Sequence, residues 1–234
     1  MTLVYPGSEL DLFAAAANWK RYVAGIVRPL VGARVLEVGG GIGGNIARLH
    51  RPTVTEWVSV EPDPRLASRI ERRIASGELP ATCRVVTGTV EAVADRRFDT
   101  ILYLDVLEHI ADDREELRRA AARLGPGGRL VVLAPACQFL YSPFDAAIGH
   151  HRRYSRAALR ALAPPACRLT MLRALDSAGL LAALGNRLIL RSSTPTRAQI
   201  ALWDRVLVPL SRAIDGFTGY RFGKSLLSTW TKQA

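Results

Sequence analysis

Ten residues, Val35 to Gly44, constrain this chain more than any other stretch. They read Val-Leu-Glu-Val-Gly-Gly-Gly-Ile-Gly-Gly, a short apolar strand that runs into clustered glycines and then opens into a helix. Glycine tolerates positive φ and, lacking Cβ, lets backbone or ligand come close. A strand that ends this way fits an open α/β sheet, where the turn after the first strand cradles a ligand. Gly39, Gly41 and Gly44 by themselves also satisfy a G-x-G-x-x-G spacing, which is a weak signal when read alone.

The rest of the sequence supplies the strand–helix alternation that such a sheet needs. Leu12 to Leu30 has the spacing of an amphipathic helix ending near Pro29. Arg34 to Val38 is the first strand, and a helix follows from about Gly43 to His50. Trp57–Glu61, Cys83–Thr87 and the almost wholly apolar Phe98–Leu104 read as the next strands. Pro64 to Ala75 and Asp112 to Leu124 read as helices. Proline opens the first, and Gly125-Pro126-Gly127-Gly128 stops the second. Of the adjacent Asp112 and Asp113, one suits a helix cap and the other a solvated acid. Ser155 caps a helix to about Leu162, and Arg129–Ala134, Arg168–Ala174 and Leu226–Thr231 complete the strands, the last expected antiparallel. The 234 residues suit one domain. The expectation is a Rossmann-like, seven-stranded, mostly parallel α/β sheet with helices on both faces. Residues 1–30 form its N-terminal helical segment, and 176–223 a helical insertion or lid before the last strand.

Two acids narrow the ligand. Glu37, two residues before the first glycine, would repel a dinucleotide pyrophosphate and attract an ammonium or sulfonium. Glu61 ends the second strand 20 residues after Gly41, where a carboxylate can accept both hydroxyls of a ribose. From about Asn18 to Pro135 the sequence resembles the class I methyltransferases that use S-adenosylmethionine (SAM). Four blocks carry the likeness: Glu37 to Gly43; Glu61-Pro62-Asp63; Phe98-Asp99 with Asp105-Val106-Leu107-Glu108-His109-Ile110; and Leu124 to Gly128. The resemblance implies SAM as cofactor and S-adenosylhomocysteine as product. SAM would lie against Glu37, Gly39, Gly40, Gly41 and Gly43, with its ribose on Glu61 beside Pro62 and its methionine end near Asp105 and Val106. In the family an acid often follows the third strand and meets the adenine. Here Gly88 is followed by Thr89, which leaves the Thr89 hydroxyl or the Val90 backbone for that contact.

A second dense block, Asp145 to Ser155, follows the fifth strand and gathers a carboxylate, two imidazoles, two guanidiniums and a phenol. Its Gly149-His150-His151-Arg152-Arg153-Tyr154 run, with Gly223-Lys224-Ser225-Leu226-Leu227, is similar to a bacterial subgroup of these enzymes. Members of that subgroup often occur beside polysaccharide or secondary-metabolite genes. The resemblance implies methyl transfer to a small-molecule acceptor, with an oxygen of a natural product, sugar or glycolipid as the expected target. A hydroxyl acceptor calls for a base, and His150, His151 and His109 are the candidates. Arg152, Arg153, Tyr154 and Asp145 are expected to bind the acceptor. No metal is expected.

The net charge of +11 invites a nucleic-acid partner, but the arginines are spread along the chain without interleaved aromatics. RNA or DNA methylation is therefore the alternative, requiring that charge to gather at a pocket mouth. A second alternative is a SAM-binding protein without transferase activity, acting as a regulator or cyclase. Glu37 disfavours an NAD oxidoreductase. Three scattered cysteines and a start without basic residues fit a soluble cytoplasmic protein. Leu180–Leu190 and Ile200–Ile214 have helical apolar spacing, and Arg205 and Arg212 flank the second, leaving room for peripheral membrane contact. Monomer and homodimer both fit.

Overall fold

The computed structural model describes residues 13, 15–185 and 196–233. The expected helix start at Leu12 and the end of the apolar run, 186–190, lie outside the described residues. Seven strands form one sheet: β1 (Arg34–Val38), β2 (Glu56–Glu61), β3 (Cys83–Thr87), β4 (Phe98–Leu104), β5 (Leu124–Pro135), β6 (Cys167–Leu175) and β7 (Ser225–Lys232). Their order is β3-β2-β1-β4-β5-β7-β6. The β1–β5 pairings are parallel, and β7 lies antiparallel between β5 and β6. This is the expected Rossmann-like architecture.

The inner strands are buried on both sides, which is why they read as nearly continuous apolar runs, whereas the edge strands β3 and β6 are partly exposed. Successive residues still alternate between two cores. Leu36, Ile101, Tyr103, Val132 and Trp230 pack with Leu117 and Ala120 of helix Asp113–Ala122 and with Leu159. Val35, Trp57, Leu102, Val131 and Leu227 pack with Val23 and Val27 of helix Ala17–Val27 and with Ile70 of helix Pro64–Ala75.

Some boundaries differ from the sequence reading, each for a local reason. The N-terminal helix gives way to a 3-10 turn at Arg28–Leu30, where Pro29 sits. After β1 the helix is only Ile46–Leu49, because the positive φ of Gly43 (+72°) keeps the preceding residues in turns. Strand β5 begins at Leu124, paired with Phe98, and absorbs the Gly-Pro-Gly-Gly segment as an irregularity before Arg129 pairs with Thr100. Asp112 caps its helix through Glu115 N–H, but Asp113 is buried and paired, not solvated.

The insertion after β6 comprises helices Ser177–Gly185 and Arg197–Leu202, a π-type turn Trp203–Leu207 and helix Val208–Phe217. Buried carboxylates fasten it. Asp204 accepts Trp19 N–H at 2.8 Å. Asp215 accepts Tyr22 O–H at 2.8 Å and the N–H groups of Asp176 and Ser177 at 2.8 and 3.1 Å. Asp176 accepts Trp203 Nε1–H and Ser211 O–H and pairs with Lys224 at 3.4 Å. Among the described residues no helix is long and apolar enough to cross a membrane.

Removing the Asp215 carboxylate would strand three buried donors at once. We expect Asp215→Ala to destabilise the protein by roughly 2 to 4 kcal/mol in urea denaturation. A loss below about 1 kcal/mol, the usual scale of an average substitution, would show that this network does not hold the insertion.

Candidate active site

The chain runs from β1 outward to β3, then returns to place β4 on the other side of β1. Ligands of open α/β sheets sit at the carboxyl edge of such a reversal. At this edge Gly39 N–H and Gly40 N–H both donate to Val60 O, at 2.9 and 3.3 Å. A Cβ on Gly39 (φ +69°) would lie 2.6 Å from Val106 Cγ2, and one on Gly40 would lie 1.9 Å from Ser59 Oγ. The turn is wedged between the ends of β2 and β4 and has no room for side chains.

Glu37 lies beneath this turn and not in the cavity wall. Its carboxylate accepts Asn45 Nδ2–H at 3.0 Å, Trp57 Nε1–H at 3.2 Å and Ser59 O–H at 3.4 Å. Burial pushes its carboxyl up to about 7 against these three bonds, which favour the charged form. The carboxylate expected to meet a ligand cation is thus engaged from within by three donors that support the turn. Gly43 likewise faces Ile70, Leu79 and Arg73 instead of the cavity.

Above the edge opens a cavity of about 1640 Å³, room for more than one drug-sized ligand. One half is walled by Gly39, Gly40, Gly41, Glu61, Pro62, Thr89, Asp105 and Val106, gathering most of the expected cofactor residues. Glu61 Oε2 accepts Gly41 N–H at 2.8 Å and Oε1 accepts Asp63 N–H at 3.0 Å. Each oxygen keeps a further lone pair for a hydroxyl donor. Burial raises the Glu61 carboxyl, partly offset by those two N–H groups. Asp105 opens into the cavity from a left-handed backbone (φ 57°). Thr89 lines the wall and caps the 3-10 turn Val90–Val93, whereas Val90 is buried in the core. The insertion and N-terminal helix supply an apolar roof that includes Trp19, Ile200, Trp203 and Leu207.

The other half centres on Asp145, which is fully buried. It accepts Ser142 N–H and O–H at 2.9 Å each, Arg153 Nε–H and Nη2–H at 2.9 and 3.1 Å, and pairs with His150 Nδ1 at 2.9 Å. Burial alone would raise this carboxyl, but the bonds from His150 and Arg153 outweigh it and hold it at about 2. Nε2 of His150 stands 3.8 Å from Glu108 Oε1, and its ring meets His109 edge-on at 4.6 Å. Burial, then the neighbouring His150, lowers His109 to about 4 against its hydrogen bond with the Gly149 backbone. Its imidazole is neutral at pH 7. His151 is exposed, lines the cavity, and is tied back by its N–H to Glu108 O at 2.8 Å.

Arg152 and Tyr154 do not belong to the cavity wall. Arg152 pairs with Asp113 at 2.7 Å, and the buried Tyr154 O–H donates to the same carboxylate at 2.8 Å. Their role is to close the loop onto helix Asp113–Ala122. Arg153 stays in the wall, but Asp145 holds its guanidinium. Two residues named in the sequence reading but given no chemical role also appear here. Glu108 is buried with Oε2 lacking a hydrogen-bond partner, and burial with neighbouring Asp105 pushes its carboxyl well above the usual range. Lys224 joins the wall, its Nζ 4.5 Å from the Trp203 ring centroid. Only the adjacency of Glu108 to His109, and the likeness around Lys224, hinted at either.

A side-chain-free turn at the sheet reversal, a buried carboxylate with open lone pairs and an apolar roof suit a nucleoside bearing an amino-acid tail. The fold is that of a class I SAM-dependent methyltransferase. Comparison with known families agrees: residues 11–184 match the methyltransferase domain, and the chain belongs to that family. It is 34% identical over 108 residues to a ubiquinone biosynthesis O-methyltransferase of Azorhizobium caulinodans, covering 45% of this chain and 42% of the relative. It is 30% identical over 151 residues to a demethylmenaquinone methyltransferase of Tropheryma whipplei, covering 64% and 60%. The chain thus matches about half the length of these relatives. Among solved structures, a [4+2]-cyclase superposes with TM-score 0.61 at 15% identity, covering 100% and 98% of the two chains. Mitomycin 7-O-methyltransferase gives 0.58 at 15%, covering 95% and 54%. At these identities the structural likeness shows the fold alone.

The raised Glu37 carboxyl has a consequence for stability. Its folded value of about 7 exceeds the ordinary 4.5. Its contribution is therefore full below pH 4.5 and is lost as pH rises through 7. Relative to Glu37→Gln, the wild type should lose up to roughly 3 kcal/mol of unfolding free energy between pH 4.5 and pH 8. Urea denaturation across that range measures it, and parallel pH profiles would exclude a shifted Glu37.

Proposed function

We propose that this protein transfers a methyl group from SAM to an oxygen of a small-molecule acceptor, such as a natural product, sugar or glycolipid. The observation that carries this reading is one continuous cavity with two chemically different halves. A glycine turn with a ribose-type carboxylate lies at one end, and a buried cluster of histidines and acids at the other. When bound, SAM supplies a methyl group on cationic sulfur: a lone pair of the acceptor oxygen forms the new C–O bond as the S–CH3 bond breaks, its electrons leaving on the sulfur of S-adenosylhomocysteine. The names of the curated relatives, which refer to quinone methylation, support a small-molecule acceptor.

The protein's own contribution is alignment and removal of the acceptor's proton. Gly39 to Gly41 would admit the cofactor against bare backbone, Glu61 would accept its ribose hydroxyls, and Asp105 would face its methionine end. Such positioning is the larger effect, worth up to roughly 7 to 11 kcal/mol in favourable cases. On the acceptor side Asp145 fixes the His150 ring, so the other ring nitrogen is the group offered to an incoming hydroxyl. Exposed His151 gives that proton a route to solvent. Arg153, already neutralised by Asp145, would shape this pocket and not bind an acceptor anion.

Two variants separate the halves. Glu61→Ala should weaken S-adenosylhomocysteine binding at least about tenfold by calorimetry, the loss of roughly 1.4 kcal/mol of hydrogen bonding; unchanged affinity would remove Glu61 from the ribose. His150→Ala should lower kcat about 10²- to 10⁴-fold with phenolic and sugar acceptors while sparing S-adenosylhomocysteine affinity. Full activity would move acceptor activation away from His150. NAD serves as the control ligand, and its binding in place of S-adenosylhomocysteine would overturn the assignment.

A further inference from the structure

Glu108 and His109 arrive from the turn after β4, and His150 from the loop after β5. Each offers one ligand atom, and the three atoms lie within 4.8 Å of one another at the cavity wall. Side-chain rotation need close this triangle only modestly to reach the roughly 2.0 to 2.2 Å bonds of a divalent cation held by imidazole and carboxylate.

Three further observations fit a ligating cluster. Glu108 is 1% exposed and its Oε2 has no hydrogen-bond partner, so a carboxylate oxygen is held dry and unsatisfied beside two imidazoles. Each imidazole also has a second partner. Asp145 Oδ1 stands 2.9 Å from His150 Nδ1, and the His109 ring bonds the Gly149 backbone. A carboxylate or backbone carbonyl on the far ring nitrogen is the usual outer shell of a metal-bound histidine. Glu108 is also crowded by the carboxylates of Asp105 and Asp145, with Arg153 opposing them, so a bound metal ion would relieve the repulsion among these acids.

We propose that Glu108, His109 and His150 bind one divalent transition-metal cation at the acceptor end of the cavity. Two imidazoles and one carboxylate with open positions select manganese, iron, cobalt or zinc over calcium or magnesium. Asp105, next to Glu108 on the same turn, is the nearest additional oxygen donor. Resting on the methyltransferase reading, the site also has a use. A hydroxyl coordinated on the open side is acidified and releases its proton to solvent, leaving the oxygen ready to accept the methyl group. His150 then acts by holding the cation. The ligands come from two separate segments, so no short spacing in the sequence reveals them.

The test uses untagged full-length protein stripped with chelator and titrated with Co²⁺, read by visible absorption and by metal content. Wild type should take up one equivalent and develop ligand-field bands. Glu108→Gln and His109→Ala should each abolish the bands. Asp145→Asn keeps all three ligands and should weaken binding by about 10- to 100-fold. His50→Gln, remote from the cavity, should bind as wild type. Absence of a saturable site in wild type, or unchanged bands in Glu108→Gln and His109→Ala, would overturn the proposal. S-adenosylhomocysteine calorimetry on the same samples checks folding and separates the two readings. Cofactor binding and chelator-resistant methyl transfer without Co²⁺ uptake would discard the cation and keep the transferase. Co²⁺ uptake without cofactor binding would discard the transferase and keep the cation site.

Discussion

The end of β1 has no space for side chains, and the rest of the structure is arranged around that fact. Gly39 is pressed by Val106 from the turn after β4, and Gly40 by Ser59 from β2. A methyl group at either position would have to displace a neighbouring strand end. Glu37 supports the turn from below through three hydrogen bonds, and Glu61 braces it from the side through Gly41 N–H. The bare backbone facing the cavity is therefore held by buried acids, whose desolvation is offset by the bonds they accept.

The acceptor end follows a different logic. Asp145 has no sequence neighbour to satisfy it beyond Ser142, so the loop folds back until His150 and Arg153 both reach it. The same closure brings His150 against His109 and Glu108, on a segment some forty residues earlier. Arg152 and Tyr154 complete the closure by meeting Asp113. A charge-dense loop has become a rigid wall because nearly every charge in it has a partner.

Much of this was legible in the sequence, and the limits are physical. Strand positions and the reversal at β1 and β4 follow from apolar runs and glycines, signals local to a few residues. The direction of β7 was also visible. Where the reading went astray, a tertiary partner decided the matter. Glu37 looks like a ligand contact until Trp57 and Asn45 are seen to occupy it. Asp113 looks solvated until Arg152 and Tyr154 come to it from across the loop. Arg152 and Tyr154 looked like acceptor contacts for the same reason: exposure cannot be read from residue type when the partner is distant in the chain. The likeness puts Glu108 at the ligand edge without giving it a role, since that role depends on His150.

The roof over the cavity is fastened by the carboxylates of Asp176, Asp204 and Asp215, which together bind the N-terminal helix, the insertion and Lys224. Hydrogen bonds to charged groups contribute about 1.5 to 3 kcal/mol each. Lifting the roof as one body would break several together and expose bare charge. These aspartates stand outside the cavity wall, so replacing one would loosen the cover over the cavity without altering a residue that lines it.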